Sequence, residues 1–151
     1  MTKQQIHRLR PGDERWFEGM LDLFAAAFED NQSYTAARPG RRYRTDLLNR
    51  RDVIALVAIE GEEVAGAAVA YELPKLEQER SEMYLYDLAV ALPYRRQGVA
   101  TALIETLRKI AREQGAWVLF VQADYGDDPA VALYTKLGQR EDVMHFDIPI
   151  D

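Results

Sequence analysis

The apolar pattern changes period twice between Ser81 and Ala123, and this change restricts the fold more than any other feature. The stretch "SEMYLYDLAVA" (81–91) is rich in aromatic and β-branched residues, which is typical of a strand. After Gly98, apolar residues recur at helical spacing up to Gly115. A buried strand, "WVLFVQA" (117–123), is predicted to follow. A strand, a helix and a strand in this order predict two parallel strands that are neighbours or nearly so.

The segments around this βαβ unit complete a mixed α/β pattern in one domain, residues 1–151, without linkers or repeats. The predicted order is β-α-α-β-β-β-α-β-α-β. The elements outside the unit are a strand at Ile6–Leu9, helices at Trp16–Phe28 (Asp13 as N-cap) and Arg42–Arg50, a hairpin of Val53–Ile59 and Val64–Leu73, a helix at Asp128–Gly138 with the glycine as C-cap, and a last strand at Asp142–Ile148.

The charge and composition of the chain limit its partners. The formal charge is −6, which disfavours a nucleic acid and favours a cationic partner. The most apolar stretch, 53–73, is interrupted by three glutamates, and the N-terminus has no signal-peptide pattern, so we expect no membrane contact.

The chain contains no cysteine and only two histidines. This composition excludes a thiol nucleophile and a thiolate zinc site, and it assembles no metal site. It agrees with a reducing cytoplasm, which is the expected location.

Two arginines, Arg95 and Arg96, stand just before Gly98 in this acidic chain. A helix that begins at Gly98 directs unpaired backbone N–H groups and the positive end of its dipole at the preceding loop. The sequence therefore suggests a cradle for a phosphate or pyrophosphate, although a solvated charge pair before an ordinary helix explains the same residues. Neither a Walker loop nor a G-x-G-x-x-G loop is present.

The loop "RRQGVA" resembles the Arg/Gln-x-x-Gly-x-Gly/Ala pattern of the GCN5-related N-acetyltransferases, with Arg95, Gly98 and Ala100 at the defined positions. This resemblance implies an α/β fold: a mixed, mostly antiparallel sheet with a splayed parallel pair, flanked by helices. It also implies that acetyl-coenzyme A binds with its pyrophosphate on the loop amides and its pantetheine arm along "LAV". The implied cofactor-binding residues are Leu88, Ala89, Val90, Arg95, Arg96, Gln97, Gly98, Val99, Ala100 and Thr101.

Longer segments of the second half, such as "VQADYGDDPAVALYTKLG", resemble one subfamily, the type I aminoglycoside 3-N-acetyltransferases. This resemblance implies acetylation of the 3-amino group of an aminoglycoside antibiotic, and hence resistance. Two positions depart from the general acetyltransferase pattern: Asp127 replaces a frequent asparagine, and Gln139 replaces a frequent aromatic residue.

Acetyl transfer to an amine requires a base for the amine proton and an acid for the departing thiolate. Asp87, beside "LAV", is the favoured base, with Glu82 or an ordered water as alternatives. Asp87 could instead order a bulge, or bind an ammonium without moving a proton. The resemblance assigns the acid to Tyr134, which could otherwise be a packed helix tyrosine.

Acidic residues form two groups that we expect at the carboxyl-terminal ends of adjacent strands, where they would attract a polycation. A solvated acidic face explains them equally simply. One group is Glu77, Glu79 and Glu82; the other is Asp124, Asp127 and Asp128. The predicted substrate-binding residues are Tyr86, Asp124, Asp127, Asp128 and Asp147, with Glu141 and Asp142 as an extension of the wall.

Other prominent residues have simpler interpretations. His145 is predicted to be a core or edge residue, and Trp16, Phe17 and Phe24 are predicted to be core residues of a helix. The arginines at 41, 42 and 44 are predicted to form a solvated helix face.

Three functional hypotheses follow. The first is direct acetyl transfer to an aminoglycoside in a ternary complex, since no cysteine can carry an acyl group. The second keeps this chemistry with another acceptor, such as a polyamine, a small amine or a protein N-terminus. The third is a coenzyme A-binding module without turnover. The resemblance also allows a homodimer.

Overall fold

The computed structural model describes residues 4–29 and 31–151, which form two compact units that meet in sequence at Val121. The first unit contains β1 (Gln5–Arg8), α1 (Glu14–Ala27), α2 (Asn31–Thr35), α3 (Arg41–Leu48), β2 (Val53–Glu60), β3 (Glu63–Pro74), β4 (Ser81–Val90), a 3-10 turn (Leu92–Tyr94), α4 (Val99–Gln114) and β5 (Ala116–Val121). The second unit, from Gln122 onwards, contains α5 (Asp128–Leu137). No helix in the described ranges is long and apolar enough to cross a bilayer.

The five strands form one sheet in the order β1-β2-β3-β4-β5. The first four strands are antiparallel neighbours, and β4 and β5 are parallel, with Met83 opposite Leu119. The predicted hairpin and the predicted parallel pair are therefore confirmed.

Helices α1 and α4 pack on opposite faces of the sheet. Phe17 and Phe24 of α1 belong to the same buried cluster as Val69 and Ala89, which confirms their prediction as core. On the other face, α4 lies so close to β3 that a Cβ atom on Gly66 would stand 2.7 Å from Val99 Cγ1. The absence of a side chain at Gly66 lets Val99, the first residue of α4, pack directly against the sheet. A larger residue at position 66 would displace Val99.

A β-bulge interrupts the pairing of β3 with β4. Val69 lies opposite Asp87, whereas the next residue, Ala70, lies opposite Leu85, so Tyr86 is the extra residue. Side chains of a regular strand alternate between the two faces. The extra residue therefore resets the alternation, so that Asp87 and Ala89 lie on the α1 face although Leu85 lies on the α4 face.

The prediction that Arg44 belongs to a solvated helix face is wrong. Only 7% of Arg44 is exposed, and its guanidinium lies 4.4 Å from the ring centre of Phe17. It donates to Glu14 Oε2 at 2.8 Å, to Glu18, and to the carbonyl of Pro39 at 2.7 Å. Both carboxylates belong to α1, so the sequence of α3 alone could not predict the burial of Arg44.

The two predicted cap residues are confirmed in position, and the contacts they make are as follows. Asp13 stands at the N-cap of α1, but its carboxylate makes no capping bond; it accepts from the Arg10 amide at 2.7 Å and pairs with His7 at 2.9 Å. Gly138 is the C-cap of α5 as predicted; its backbone is extended, and its amide donates to the Tyr134 carbonyl at 2.9 Å.

The predicted last strand, Asp142–Ile148, is absent: residues 139–151 form neither a helix nor a strand. His145 is accordingly exposed rather than a core or edge residue. The alternating pattern that predicted the strand is real, but a strand also needs a hydrogen-bonding partner, and no described strand pairs with this segment.

Candidate active site

The bulge in β4 brings a carboxylate and several tyrosines together on the α1 face of the sheet. The phenol of Tyr34, in α2, donates to Asp87 Oδ1 at 3.2 Å. The ring centre of Tyr86 lies 5.8 Å from that of Tyr71 and 5.3 Å from that of Tyr84, both edge to face. Aromatic side chains therefore surround Asp87. Tyr86, the extra residue of the bulge, is 60% exposed.

Burial raises the pKa of Asp87, and the hydrogen bond from Tyr34 offsets part of that increase. Burial is also the main reason that the pKa values of Tyr71 and Tyr84 are raised, and the Asp87 charge adds to both. These phenols therefore remain neutral near pH 7, whereas the carboxylate is more basic than an ordinary aspartate. A carboxylate of this kind can accept a proton from a bound cation.

Tyr34 is held in place by a guanidinium. Arg38 donates from Nε to the Tyr34 carbonyl at 2.7 Å, and it also binds Glu18 and Asp22 of α1. The segment around α2 is thus fastened to α1 by ionic contacts. Sequence reasoning missed Tyr34, because a helix of five residues has no apolar period that would locate it.

The strand β4 has an open edge beyond the bulge. Its pairing with β5 ends at Leu85, opposite Val121, while β4 itself continues to Val90. No described strand pairs with the β5 side of residues 86–90, which include the predicted Leu88–Val90. The backbone groups of this edge are available for a ligand that carries amides.

The loop between β4 and α4 has the backbone geometry of an anion site. Arg96 and Gly98 both have positive φ, at 61° and 81°. The first regular bond of α4 runs from the Ala102 amide to the Gly98 carbonyl at 3.0 Å, so the amides of 99–101 precede it. Left-handed residues before a helix start direct consecutive N–H groups into one concave surface. The backbone of this loop is therefore compatible with the predicted cradle, and both arginines are exposed.

Arg95 and Gln97 brace this loop. Arg95 Nε donates to the Val90 carbonyl at 3.1 Å, and the Gln97 amide donates to the Pro93 carbonyl at 3.2 Å. Arg95 Nε thus links the loop to the end of β4.

Tyr134 lies in the middle of α5 and is half-buried. Burial, with a smaller contribution from the charge of Asp127, raises the pKa of Tyr134 to about 12. Asp127 also caps α5, where its carboxylate accepts from the Ala130 amide at 3.4 Å. Asp127 therefore stabilises the start of α5, in addition to its predicted role in substrate binding.

The remaining predicted residues do not all lie together. Glu77, Glu79 and Glu82 lie before or at the start of β4, so the prediction that they stand at its carboxyl-terminal end is wrong. Glu82 is five residues from Asp87, which at ~3.3 Å per residue separates them by roughly 15 Å. Asp124 and Asp128 are exposed beside Asp127, and Asp147 is paired with His145 at 2.8 Å.

The sequence and the fold are both similar to those of known proteins. Residues 17–139 match the model of the "Acetyltransferase (GNAT) family". The fold is similar to a crystal structure of an aminoglycoside acetyltransferase from an uncultured soil metagenomic sample, with a TM-score of 0.96, 49% identity, and coverage of 99% of this chain and 100% of that chain. A second soil metagenomic aminoglycoside acetyltransferase, in complex with sisomicin, has a TM-score of 0.89 and 30% identity over 98% of this chain and 97% of that one.

Curated sequences that match the chain include other N-acetyltransferases. Rat N-acetyltransferase 8B is 32% identical over 60% of this chain, and the N-alpha-acetyltransferase of Sulfurisphaera tokodaii is 31% identical over 52% of it. The matches span 40% and 54% of the lengths of those two proteins. The likeness to them is therefore partial, whereas the likeness to the metagenomic structures extends over the whole chain.

The raised pKa of Asp87 leads to a prediction about stability. Asp87 ionises at about pH 4 in the unfolded chain and at a higher pH in the folded protein. Above both pKa values, the charged Asp87 therefore lowers the free energy of unfolding. Asp87→Asn keeps an acceptor for Tyr34 and removes the charge. We expect the variant to unfold at a higher urea concentration than the wild type at pH 7.5, and the difference to vanish towards pH 4.

Asp52→Asn is the matched control, because the hydrogen bond from Arg50 lowers the pKa of Asp52. Its ionised form stabilises the fold above about pH 4, so the control should show no gain at pH 7.5. A loss of stability in Asp87→Asn at pH 7.5 that exceeds the loss at pH 4 contradicts the prediction.

Proposed function

The chain belongs to the acetyltransferase (GNAT) family, and we propose that it transfers the acetyl group of acetyl-coenzyme A to the 3-amino group of an aminoglycoside, which would confer antibiotic resistance. The observation that carries the acceptor class is the full-length likeness, at 49% identity, to an aminoglycoside acetyltransferase. The absence of cysteine from the sequence favours direct transfer in a ternary complex, and suits a reducing cytoplasm.

The residues present fit the cofactor that the family uses. The amides of 99–101, with Arg95 and Arg96, offer positive charge to a pyrophosphate, and Gln97 and Gly98 shape the loop. The open edge at Leu88, Ala89 and Val90 offers backbone groups to the amides of a pantetheine arm. When bound, acetyl-coenzyme A supplies a thioester whose carbonyl carbon accepts the amine.

We assign the base to Asp87. An alkylamine with a pKa near ~10.4 is mostly protonated at neutral pH and must lose a proton to become a nucleophile. The raised pKa of Asp87 makes it a better acceptor for this proton, either directly or through an ordered water. Glu82 is a weaker candidate, because it lies at the far end of the strand from the open edge.

We assign the acid to Tyr134, as the family resemblance implies. A phenol with a pKa of about 12 remains protonated throughout the neutral range. It can therefore donate a hydrogen bond to the sulfur as negative charge develops there, and the proton passes on to the thiolate, whose pKa is near ~8.5 for an ordinary thiol, only as solvent reprotonates the phenol. After transfer, protonated Asp87 releases the amine proton to solvent and Tyr134 regains a proton from solvent, so both groups return to their starting states.

Carboxylates and an aromatic ring would recognise the polycation. Asp124, before α5, and Asp128, its first residue, are exposed, and Tyr86 presents a ring to which an ammonium can bind. Asp127 and Asp147 would contribute charge in addition to their contacts with the Ala130 amide and His145.

The proposal is tested by mixing the protein and acetyl-coenzyme A with gentamicin, sisomicin, spermidine or a peptide with a free N-terminus. We expect thiol release with the aminoglycosides at a catalytic efficiency at least ~10²-fold above the others, and NMR of the product should show acetylation at the 3-amino group. A higher efficiency with spermidine or the peptide would select the alternative acceptor class. Cofactor binding without thiol release from any acceptor would support the binding module.

Replacement of Tyr134 separates an acid from a packed tyrosine. Tyr134→Phe retains the ring and removes the proton donor, so we expect kcat to fall about 10²-fold or more, with little change in the Kd for acetyl-coenzyme A. Tyr125→Phe, an 81% exposed tyrosine in the same unit, is the control. Unchanged kcat in Tyr134→Phe would exclude the assigned role.

Tyr34 should set the pH at which the base becomes active. Because its hydrogen bond lowers the pKa of Asp87, Tyr34→Phe should raise that pKa and move the acidic limb of kcat/KM to higher pH. The rate at high pH, where Asp87 is ionised in both proteins, should change less. The exposed Tyr43→Phe is the control, and a limb that does not move would show that Tyr34 does not act on the base.

A further inference from the structure

Arginines from two segments gather at one open pocket of the first unit, which we call the arginine pocket (lined by residues 8–11 and 48–51). Its volume is about 310 Å³. Arg8 and Arg10 come from the end of β1 and the turn that follows it. Arg50 and Arg51 come from the connection between α3 and β2. The whole chain has a net charge of −6, yet the residues that line this pocket include four cations and no carboxylate.

Most of the positive charge at the pocket has no ionic partner. Arg50 is bound to Asp52, through Nε at 2.9 Å and Nη2 at 2.8 Å. The carboxylate of Asp13 is bound to His7 at 2.9 Å and to the Arg10 amide at 2.7 Å. Within residues 4–29 and 31–151, the other three arginines of the pocket form no ion pair.

The unpaired arginines are close enough to influence one another. Burial, and then the charges of Arg10 and Arg51, lowers the pKa of Arg8. Cations brought together in this way repel one another, and an anion placed among them would remove the repulsion. The arginine pocket therefore has the electrostatics of an anion site.

The connection that carries Arg51 is held by side chains from other elements. The Arg51 carbonyl accepts from Arg8 Nη2 at 3.2 Å and from Gln114 Nε2 at 3.2 Å. The same Arg8 nitrogen lies 3.3 Å from the Val53 carbonyl. Arg10 and Arg51 are exposed, and no described residue accepts a hydrogen bond from either guanidinium. These two side chains are therefore available to a ligand, on a backbone that is already in place.

The arginine pocket lies far from the loop that would hold the pyrophosphate of the cofactor. Gln114, which contacts Arg51, is the last residue of α4, whereas that loop precedes Val99, the first. A helix of sixteen residues is about 24 Å long. The pocket is therefore a separate anion site, and the proposed acetyl transfer does not use it.

We propose that the arginine pocket binds the phosphate group of a small molecule, either inorganic phosphate or a phosphomonoester. Each guanidinium offers paired donors that match two oxygens of a phosphate. A phosphomonoester carries about −1.5 to −2 charge at pH 7, so it neutralises Arg8, Arg10 and Arg51 more completely than a monocarboxylate does. Small-molecule pockets have volumes of about 300–1,000 Å³, so this one has room for a small organic group, beside Pro11 and Leu48.

The first test maps binding by two-dimensional NMR of the ¹⁵N-labelled protein at pH 7.5, titrated with inorganic phosphate, phenyl phosphate or benzoate. Each titration is repeated with saturating coenzyme A, because the loop before α4 can also take a phosphate. We expect both phosphate probes to shift the amides of residues 8–10 and 48–52 in either condition. Their Kd should be at least about tenfold below that of benzoate. Tighter binding of phenyl phosphate identifies an ester as the ligand, and tighter binding of inorganic phosphate identifies the free ion.

Two outcomes of these titrations overturn the proposal. One is a set of shifts confined to residues 95–101, which would place the phosphate in the other loop. The other is equal affinity for benzoate and phenyl phosphate, which would show that the pocket does not select a phosphate group.

Variants then test the donors. Arg10→Gln and Arg51→Gln each remove a guanidinium without a described hydrogen bond, and each should raise the Kd of the phosphate probes about tenfold or more. The matched control is Arg42→Gln, at an exposed arginine of α3 outside the pocket, which should change Kd by no more than about twofold. Circular dichroism checks that all three remain folded. An equal effect of all three variants, or no effect of the first two, overturns the proposal.

A longer polyanion is the competing ligand, because phosphates of a nucleic acid also bind arginine. A short single-stranded RNA is titrated under the same conditions. If the RNA shifts the amides of 8–10 and 48–52 and neither phosphate probe does, the surface binds nucleic acid and the proposal is overturned.

Discussion

The slip of register after Leu85 is the constraint on which the candidate site depends. Without the extra residue, the alternation of β4 would carry Asp87 to the α4 face, away from Tyr34. The same slip coincides with the end of the pairing between β4 and β5, which leaves the strand edge open up to Val90. One backbone irregularity therefore sets both the burial of a carboxylate and the availability of backbone donors and acceptors beside it.

A second layer of contacts holds the residues above this strand. Arg44 and Arg38 take up the negative charge of Glu14, Glu18 and Asp22 on α1. Arg44 is buried, so removal of a carboxylate partner would leave its charge with less compensation away from water. These ion pairs fix α2 and α3 relative to α1, and through the Tyr34 carbonyl they fix the phenol that reaches Asp87. The buried Arg44 and the half-buried Arg38 thus position other groups.

The features that could be predicted from the sequence are those that a local pattern of residues determines. The βαβ unit was predicted correctly because the period changes sharply at Gly98, a residue whose positive φ suits a helix start after a tight turn. The bulge was left as one alternative for Asp87, because a strand with apolar or aromatic residues at nearly every position shows no interruption of a two-residue period. Tyr34 and the partners of Arg44 escaped prediction because they arise from contacts between elements distant in sequence. The last strand failed for a related reason, since alternation indicates a capacity to pair and does not supply the partner.

The pKa shifts of Asp87 and Tyr134 have the same sign but opposite chemical consequences. Burial disfavours the charged form of each acid, so both hold their protons more tightly than in water. For a carboxylate, this makes the ionised form a stronger base near neutral pH. For a phenol, it keeps the neutral donor in place. Ionised Asp87 costs free energy at neutral pH, because the hydrogen bond from Tyr34 offsets only part of the effect of burial. A bound cation would lower this cost, and in the proposed reaction that cation is the substrate ammonium.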